Sequence, residues 1–362
     1  MIETPTCPKL TKLCDRLSLM TPSADSVSSA DDWPEDKLRL CANAGVYRWF
    51  VSQEAGGLGW SESEIAQAYL QLSAACMTTT FILTQQVSAL RRVAGTHSEH
   101  LRQNVLPKLV SGESTATVAI SHLTTSRRHL GKPVLAASRV DGGFMIDGYS
   151  PWCTGGYGAD WLVMGAEQED GTQVLFAADK RLAGIQVQAG NQLMALTASQ
   201  TGAIQCDQVF IEDKFVIAGP KAAVLTQGTG GGTGGLQTST LAIGLATAAV
   251  EFISNESKRR EDLAQTHQAF DEQLASLKSN LLQLASGTDP QTLGCSAQEL
   301  RATANSFVLR STQAALVAAK GGGYVQGHPV ERWCREAMFF LVWSCPQPVL
   351  NSNLCEFAGI VD

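Results

Sequence analysis

The sequence has no run approaching about 18 apolar residues, the length a membrane-crossing helix needs, so no membrane span is predicted. Its start, MIETPTCPKL, lacks a charged-then-apolar leader, and the expected location is cytoplasmic. Ten cysteines are scattered with no C-x-x-C pair and no histidine at ligand spacing, which argues against a zinc site or a disulfide framework. Reduced, mostly buried thiols and no metal are the expectation. Positive charge is also short. Lys and Arg number 27 against 34 Asp and Glu, for a net charge of −7. That balance argues against a non-specific nucleic-acid binder and against a basic membrane-surface protein.

What is present is enough for a large core. The chain has 362 residues, 44% of them hydrophobic, and is long for one ordinary domain, so two or three packed subdomains are expected. Residues 1 to about 35 are polar, and SADSVSSADDWP reads as a loop or arm that ends near Pro34. From Lys37 the pattern turns helical and is interrupted at Gly56-Gly57-Leu58-Gly59. Ser61 followed three residues later by Glu64 is a capping box opening a helix through Leu72. Further helical runs cover about 80–94 and 98–109, giving an all-helical segment over 1–114.

Over 115–220 the period changes to two. Strands are predicted at 116–121, 134–140, 143–149, 161–166, 173–178, 183–188 and 201–211, separated by Gly, Asp and Pro turn signals. Regular short strands suit a small sandwich or barrel. The glycine-rich GTGGGTGGL that follows has no Lys-Ser/Thr after it, so it reads as a hinge within a linker over 221–239, not a phosphate loop.

From 240 to 362 the chain is helical again. Leu241, Leu245, Ala248 and Phe252 recur at helical spacing, as do Phe270, Leu274, Leu277, Leu281 and Leu284. A third helix is predicted over 296–320 and a last one over 330–343, with the break at Gly321-Gly322-Gly323-Tyr324. Long helices with narrow apolar stripes suit an up-and-down four-helix bundle.

Helices, then a β domain, then a helical bundle is an order that resembles the acyl-CoA dehydrogenase superfamily of flavoproteins. Six segments in the right order carry the resemblance: VSQEAGGLGWSESE, GTHSEHLRQNVLPKLVSGES, GGFMIDGYSPWCTGGYGADWLVM, IQCDQVFIEDKFVIAG, GLATAAVEFISNESKRR and GGGYVQGHPVERWCREA. It implies an α+β protein: an N-terminal α-helical domain, a middle β-sandwich or barrel, and a C-terminal four-helix bundle assembling as a homodimer or homotetramer. It also implies FAD. Ser121, with Ile120 beside it, falls where a hydroxyl bonds the flavin. Thr154 falls where a threonine bonds the ring edge, and Trp152 where an indole flanks the ring. Arg260 falls where a neighbouring subunit's arginine binds the pyrophosphate, and Gly321, Gly322 and Gly323 where its backbone approaches. Flavin chemistry calls for donors at the electron-accepting edge, a flat wall, and a cation with close backbone for the phosphates.

The sequence departs from the family where the base should be. Removing the α proton of an acyl thioester needs a carboxylate. Counting from Arg335, Ser344 stands at the usual glutamate position, and the alternative position, near Gly234, Gly235 and Leu236, offers no carboxylate either. Glu331 and Glu336 sit at helix positions of the kind used in salt bridges, and Glu356 is the remaining carboxylate nearby. The family's glycine-bearing loop over the flavin reads Ser121-His122-Leu123-Thr124-Thr125-Ser126-Arg127-Arg128. Arg127 and Arg128 there are either a solvated pair or a binding site for an anionic group of the substrate. His122 is either a hydrogen-bonded loop histidine or an acid-base group. Cys345 reads as a structural thiol.

Three functions stand. One is FAD-dependent oxidoreduction of an acyl thioester or related small molecule, with an electron-transfer flavoprotein as acceptor. The second is a flavin-dependent monooxygenase on the same scaffold, fed by a flavin reductase. The third is a catalytically silent binding or structural relative, kept open by Val317 and Leu263 at positions where the family has cofactor-contacting residues.

Overall fold

The computed structural model describes residues 1–20, 33–123, 133–226, 235–344 and 347–360. The hinge glycines 228–234 and Cys345 lie outside them. The chain opens with α1 (Pro8–Met20), in a segment the sequence marks only as polar, and nearly all of the expected arm SADSVSSADDWP lies outside the described residues. Leu10, Leu13 and Leu17 recur at helical spacing and are buried, so a narrow stripe suffices to fold an otherwise charged segment onto the core. α2 (Glu35–Asn43) and α3 (Glu62–Ala75) follow. The Ser61–Glu64 capping box is formed in both directions, with Glu64 Oε2 accepting from the Ser61 amide at 2.8 Å. α4 (Met77–Ala94) is buried on nearly every face, and the short α5 (Glu99–Asn104) and α6 (Leu106–Ser111) complete the N-terminal helices.

The middle segment is one eight-stranded sheet of β1 (Ala116–Ala119), β2 (Leu135–Val140), β3 (Gly143–Cys153), β4 (Trp161–Glu167), β5 (Gln173–Asp179), β6 (Ile185–Val187), β7 (Gly202–Glu212) and β8 (Val216–Lys221). The order is β6-β7-β3-β2-β4-β5-β8, and β1 runs parallel along β4. The last strand was not expected. VIAGPK is short and carries Gly219 and Pro220, which lower its strand signal, but an edge position tolerates both. β4 and β5 are buried on both faces, hence their continuous apolar runs. Leu162, Met164, Ala166, Val174, Phe176 and Ala178 pack with residues of β2, β3 and β7 into a core the sheet keeps to itself. Val163, Leu175 and Ala177 point the other way and join the helical core.

The C-terminal helices are α7 (Leu236–Ser257), α8 (Ala264–Ala285), the single turn α9 (Pro290–Leu293), α10 (Ala297–Ala319), α11 (Pro329–Met338) and α12 (Gln347–Ala358). The sequence gives no sign of α12: its Leu354 and Phe357 are exposed, so it carries no single buried stripe. α7 is long and apolar enough on average to cross a membrane, but 78% of its most apolar window is buried by the helices around it. α7 meets α3 closely at Gly244. A Cβ there would lie 2.8 Å from the Leu70 carbonyl oxygen, and Ser73 Oγ donates to the Leu241 carbonyl oxygen at 2.8 Å. Helices and sheet thus share one main core.

Candidate functional site

β1 delivers the chain to Ile120 and then to a tight 3-10 turn, Ser121–Leu123. That turn sits on β4 because Gly165 has no side chain: a Cβ there would come within 2.3 Å of Leu123 Cδ1. His122 points inward. Its Nε2 lies 2.6 Å from the Gly165 carbonyl oxygen, which can only accept, so Nε2 carries the proton and Nδ1 accepts from Ser150 Oγ at 3.2 Å. Burial pushes the imidazole pKa below its ordinary value, and the Gly165 bond only partly opposes this. A neutral histidine with both nitrogens engaged holds the turn to β3 and β4.

β3 runs past this turn and is bulged between Ser150 and Cys153. The bulge re-aims the strand end so that Trp152 is 47% exposed while Thr154 is 6% exposed. Thr117 Oγ1 on β1 donates to the Thr154 carbonyl oxygen at 2.6 Å. Thr154 Oγ1 lies 2.9 Å from Thr201 Oγ1, which lies 2.8 Å from Ser199 Oγ. The Gly155 amide donates to the Ser199 carbonyl oxygen at 2.9 Å. Ile120, Ser121, Trp152 and Thr154 are therefore brought to one corner of the sheet, where β1 and the following turn lie against β3. Nothing in the sequence ties Thr117, Ser199 and Thr201 to that corner, because they come from separate elements and small hydroxyl residues carry no motif.

Ser344 follows Trp343, whose ring packs on α4. Trp343 packs edge-on against Phe81, with ring centroids 5.0 Å apart, and stacks on Phe339 at 5.2 Å. The next α4 residue, Ile82, lies against Gly155, where a Cβ would be 3.6 Å from Ile82 Cγ2. Ser344 itself has a left-handed backbone (φ 48°). Of the nearby carboxylates, Glu331 pairs with Arg335 at 2.6 Å, and the buried Glu336 lies 3.6 Å from Arg332. Glu356 accepts from Ser306 Oγ.

A second cluster forms at one end of the bundle. Arg260, just past α7, donates from Nη1 to the Ala318 carbonyl oxygen at 2.7 Å and from Nη2 to Asp262 at 3.0 Å. The Arg260 bond holds the Asp262 carboxyl below its usual range. Ala318 precedes the turn Lys320–Tyr324, so Arg260 and Gly321 to Gly323 are brought together, as they are not in sequence. Cβ atoms at Gly321 and Gly322 would meet nothing within 4 Å, while one at Gly323 would strike Ala319 Cβ at 2.5 Å. Val317, Tyr324 and Val325 beside them are exposed.

Arg127 and Arg128 lie outside the described residues. A cleft of about 880 Å³ opens between the α4–α5 loop and β8, lined by His97, His100, Arg139, Lys214 and Lys221 among others, but by none of the residues above. Among the described residues no group of three or more His, Cys, Asp or Glu is placed to hold a metal ion. The nine described cysteines are free thiols: four are buried, and five are partly exposed where burial was expected for most. Burial pushes the Cys153 thiol, beside Thr154, up to about 12, which removes its nucleophilic form near neutral pH.

Comparison with known proteins follows the same lines. Residues 18–113 match the family model described as acyl-CoA dehydrogenase, N-terminal domain. The mitochondrial isovaleryl-CoA dehydrogenase of Solanum tuberosum is 24% identical over 351 residues, covering 89% of this chain and 82% of that one. Among solved structures, glutaryl-coenzyme A dehydrogenase in complex with glutaryl-CoA superimposes with a TM-score of 0.79 at 15% identity, covering 98% of this chain and 96% of the other. The dibenzothiophene monooxygenase of Paenibacillus sp. A11-2 gives a TM-score of 0.75 at 16% identity, covering 95% and 94%, and that enzyme is also known in an FMN-bound form.

Proposed function

We propose that this chain, whose fold and relatives are those of the acyl-CoA dehydrogenase superfamily, is a flavin-dependent oxidoreductase that uses FAD and acts on an acyl thioester or a related small molecule. The observation that carries the reading is the corner at which the buried Thr154 hydroxyl and the half-exposed Trp152 indole stand beside Ile120 and Ser121.

The residues fit a flavin. Thr154 supplies a hydroxyl donor, and Trp152 supplies a flat face at the open side of the same turn. Arg260 has five N–H donors, which its bonds to Ala318 and Asp262 do not exhaust. The backbone at Gly321 and Gly322 is open enough for a phosphate to approach. As the resemblance implies, the phosphate-binding cluster would serve a flavin held by a second copy in a homodimer or homotetramer. Bound flavin supplies the acceptor for a hydride equivalent. The chain's part is to orient the ring edge with Thr154, cover its face with Trp152, and receive an anionic group of the substrate at Arg127 and Arg128.

The base is the open point, and it motivates a second reading. With Ser344 at the usual position, and Glu331 and Glu336 held in ion pairs, a reaction on the same scaffold that needs no carboxylate is supported: oxygenation by flavin reduced elsewhere, by a flavin reductase. In the first reading the acceptor is an electron-transfer flavoprotein. The test is to reconstitute the purified protein with FAD and follow oxygen uptake with and without a reductase. The first reading expects FAD uptake with no reductase-dependent oxygen consumption beyond that of free flavin. Failure to take up FAD or FMN would contradict both readings and leave a silent binding relative.

A further inference from the structure

Three buried hydroxyls end at the proposed ring-edge residue. Ser199 Oγ, Thr201 Oγ1 and Thr154 Oγ1 form a chain with steps of 2.8 and 2.9 Å. Ser199 is fully buried, Thr201 is 8% exposed and Thr154 6%. Each hydroxyl carries one hydrogen, and the chain contains two hydrogen bonds, so one hydrogen is always left over. Left on the fully buried Ser199, or on Thr201, whose oxygen would then accept from both neighbours, it has no acceptor among the described residues, which is costly. Left on Thr154, at the end of the chain nearest the exposed Trp152, it can be accepted by a ligand lying along the Trp152–Thr154 turn.

The backbone around the chain is built to hold it. Thr197–Ser199 is a single 3-10 turn bracketed by two non-glycine residues with left-handed backbones, Leu196 (φ 63°) and Gln200 (φ 48°). Such conformations persist only where the surroundings over-determine them. Here Thr197 Oγ1 donates to the Leu193 carbonyl oxygen at 3.0 Å, and Asn191 donates through its amide and its side chain to the Thr201 carbonyl oxygen at 2.9 and 3.1 Å. Gly190 lets Gln200 close in: a Cβ there would lie 2.8 Å from Gln200 Cα. Thr154 is fixed from the other side by Thr117, whose hydroxyl donates to its carbonyl oxygen.

We propose that Ser199 and Thr201 are positioning residues for the cofactor: they donate in sequence, Ser199 to Thr201 to Thr154, and so keep the Thr154 hydrogen directed at the electron-accepting edge of the flavin. The inference rests on the flavin reading above and extends it to two residues that never touch the ring. A relay of aligned donors also polarises the last one, so its removal changes the ring's electronic environment as well as its affinity.

The test is a double-mutant cycle on FAD binding and on the visible flavin spectrum, using Thr154→Val, Thr201→Val and both together. Alone, T201V is expected to weaken FAD binding about threefold to tenfold and to shift the flavin absorption band, and Thr201→Ser to restore both. In the T154V background, T201V is expected to add less than about a twofold change, because its route to the ring is already cut. Independent, additive effects, or an unshifted band in T201V, would overturn the proposal while leaving the flavin reading intact. Should T201V not fold, Ser199→Ala takes its place in the same cycle with the same criteria. Wild-type protein that takes up neither FAD nor FMN overturns the flavin reading and this proposal together, and that result is seen before any variant is made.

Discussion

At the scale of single residues, burial decides which titratable groups do chemistry and which do structure. Glu336 is 2% exposed and paired with Arg332, so truncating it leaves a buried guanidinium without its carboxylate. Glu336→Ala is expected to lower unfolding free energy by about 3–5 kcal/mol, measured by chemical denaturation. A base role would instead show as lost turnover at unchanged stability. His122 gives a pH-dependent counterpart. Its folded pKa is depressed, so the folded state binds fewer protons than the unfolded one on the acid side. Its contribution to stability is complete above about pH 6.5, the ordinary histidine value, and is lost as pH falls toward the depressed value. Acidification should therefore cost wild type more stability than His122→Gln, and equal slopes would contradict this. Glu331 and Glu336 read from sequence as helix positions used in ion pairs, and ion pairs are where the structure has them. What was not legible at this scale is the company residues keep: Ser150 under His122, or Thr201 behind Thr154, are joined only by the way strands fold back.

At the scale of elements, legibility followed the strength of the local signal. The Ser61–Glu64 capping box and the alternating strands were plain, because caps and period two are local facts. α1 was missed although Leu10, Leu13 and Leu17 stand at helical spacing, since the charged residues between them give the segment a polar average. β8 and α12 were missed for want of a period: one is short and carries Gly-Pro, the other exposes part of its apolar content. Packing between elements leaves one readable trace, a glycine inside an apolar helix. Gly244 on α7 is where α3 approaches, with the Leu70 carbonyl oxygen 2.8 Å from any added Cβ. In an exposed helix, alanine for glycine would be worth up to about 1 kcal/mol of propensity. Here Gly244→Ala is expected to destabilise instead, by about 1–3 kcal/mol, because the neighbour is backbone and cannot rotate away. A thermal melt of the variant checks the sign, and a raised midpoint would contradict the close crossing.

At the scale of the whole molecule, the order of helices, sheet and bundle was the most legible feature, and the fold it specifies persists at 15% identity. In the proposed reading the flavin site is divided along the same order. One corner of the sheet holds the groups suited to a flavin ring, and the end of the bundle holds those suited to its phosphates, so the second copy is part of the proposed chemistry. Dilution of FAD-loaded protein below its assembly range should then release the cofactor along with the partner, read by analytical ultracentrifugation at the flavin wavelength. Flavin staying on a monomer would contradict the divided site. The most direct measurement is an anaerobic titration of FAD-loaded protein with straight-chain, branched and dicarboxylic acyl-CoAs, followed by visible flavin absorption. The expected result is bleaching by at least one acyl-CoA. A flavin that dithionite bleaches and no acyl-CoA does would contradict oxidation of an acyl thioester.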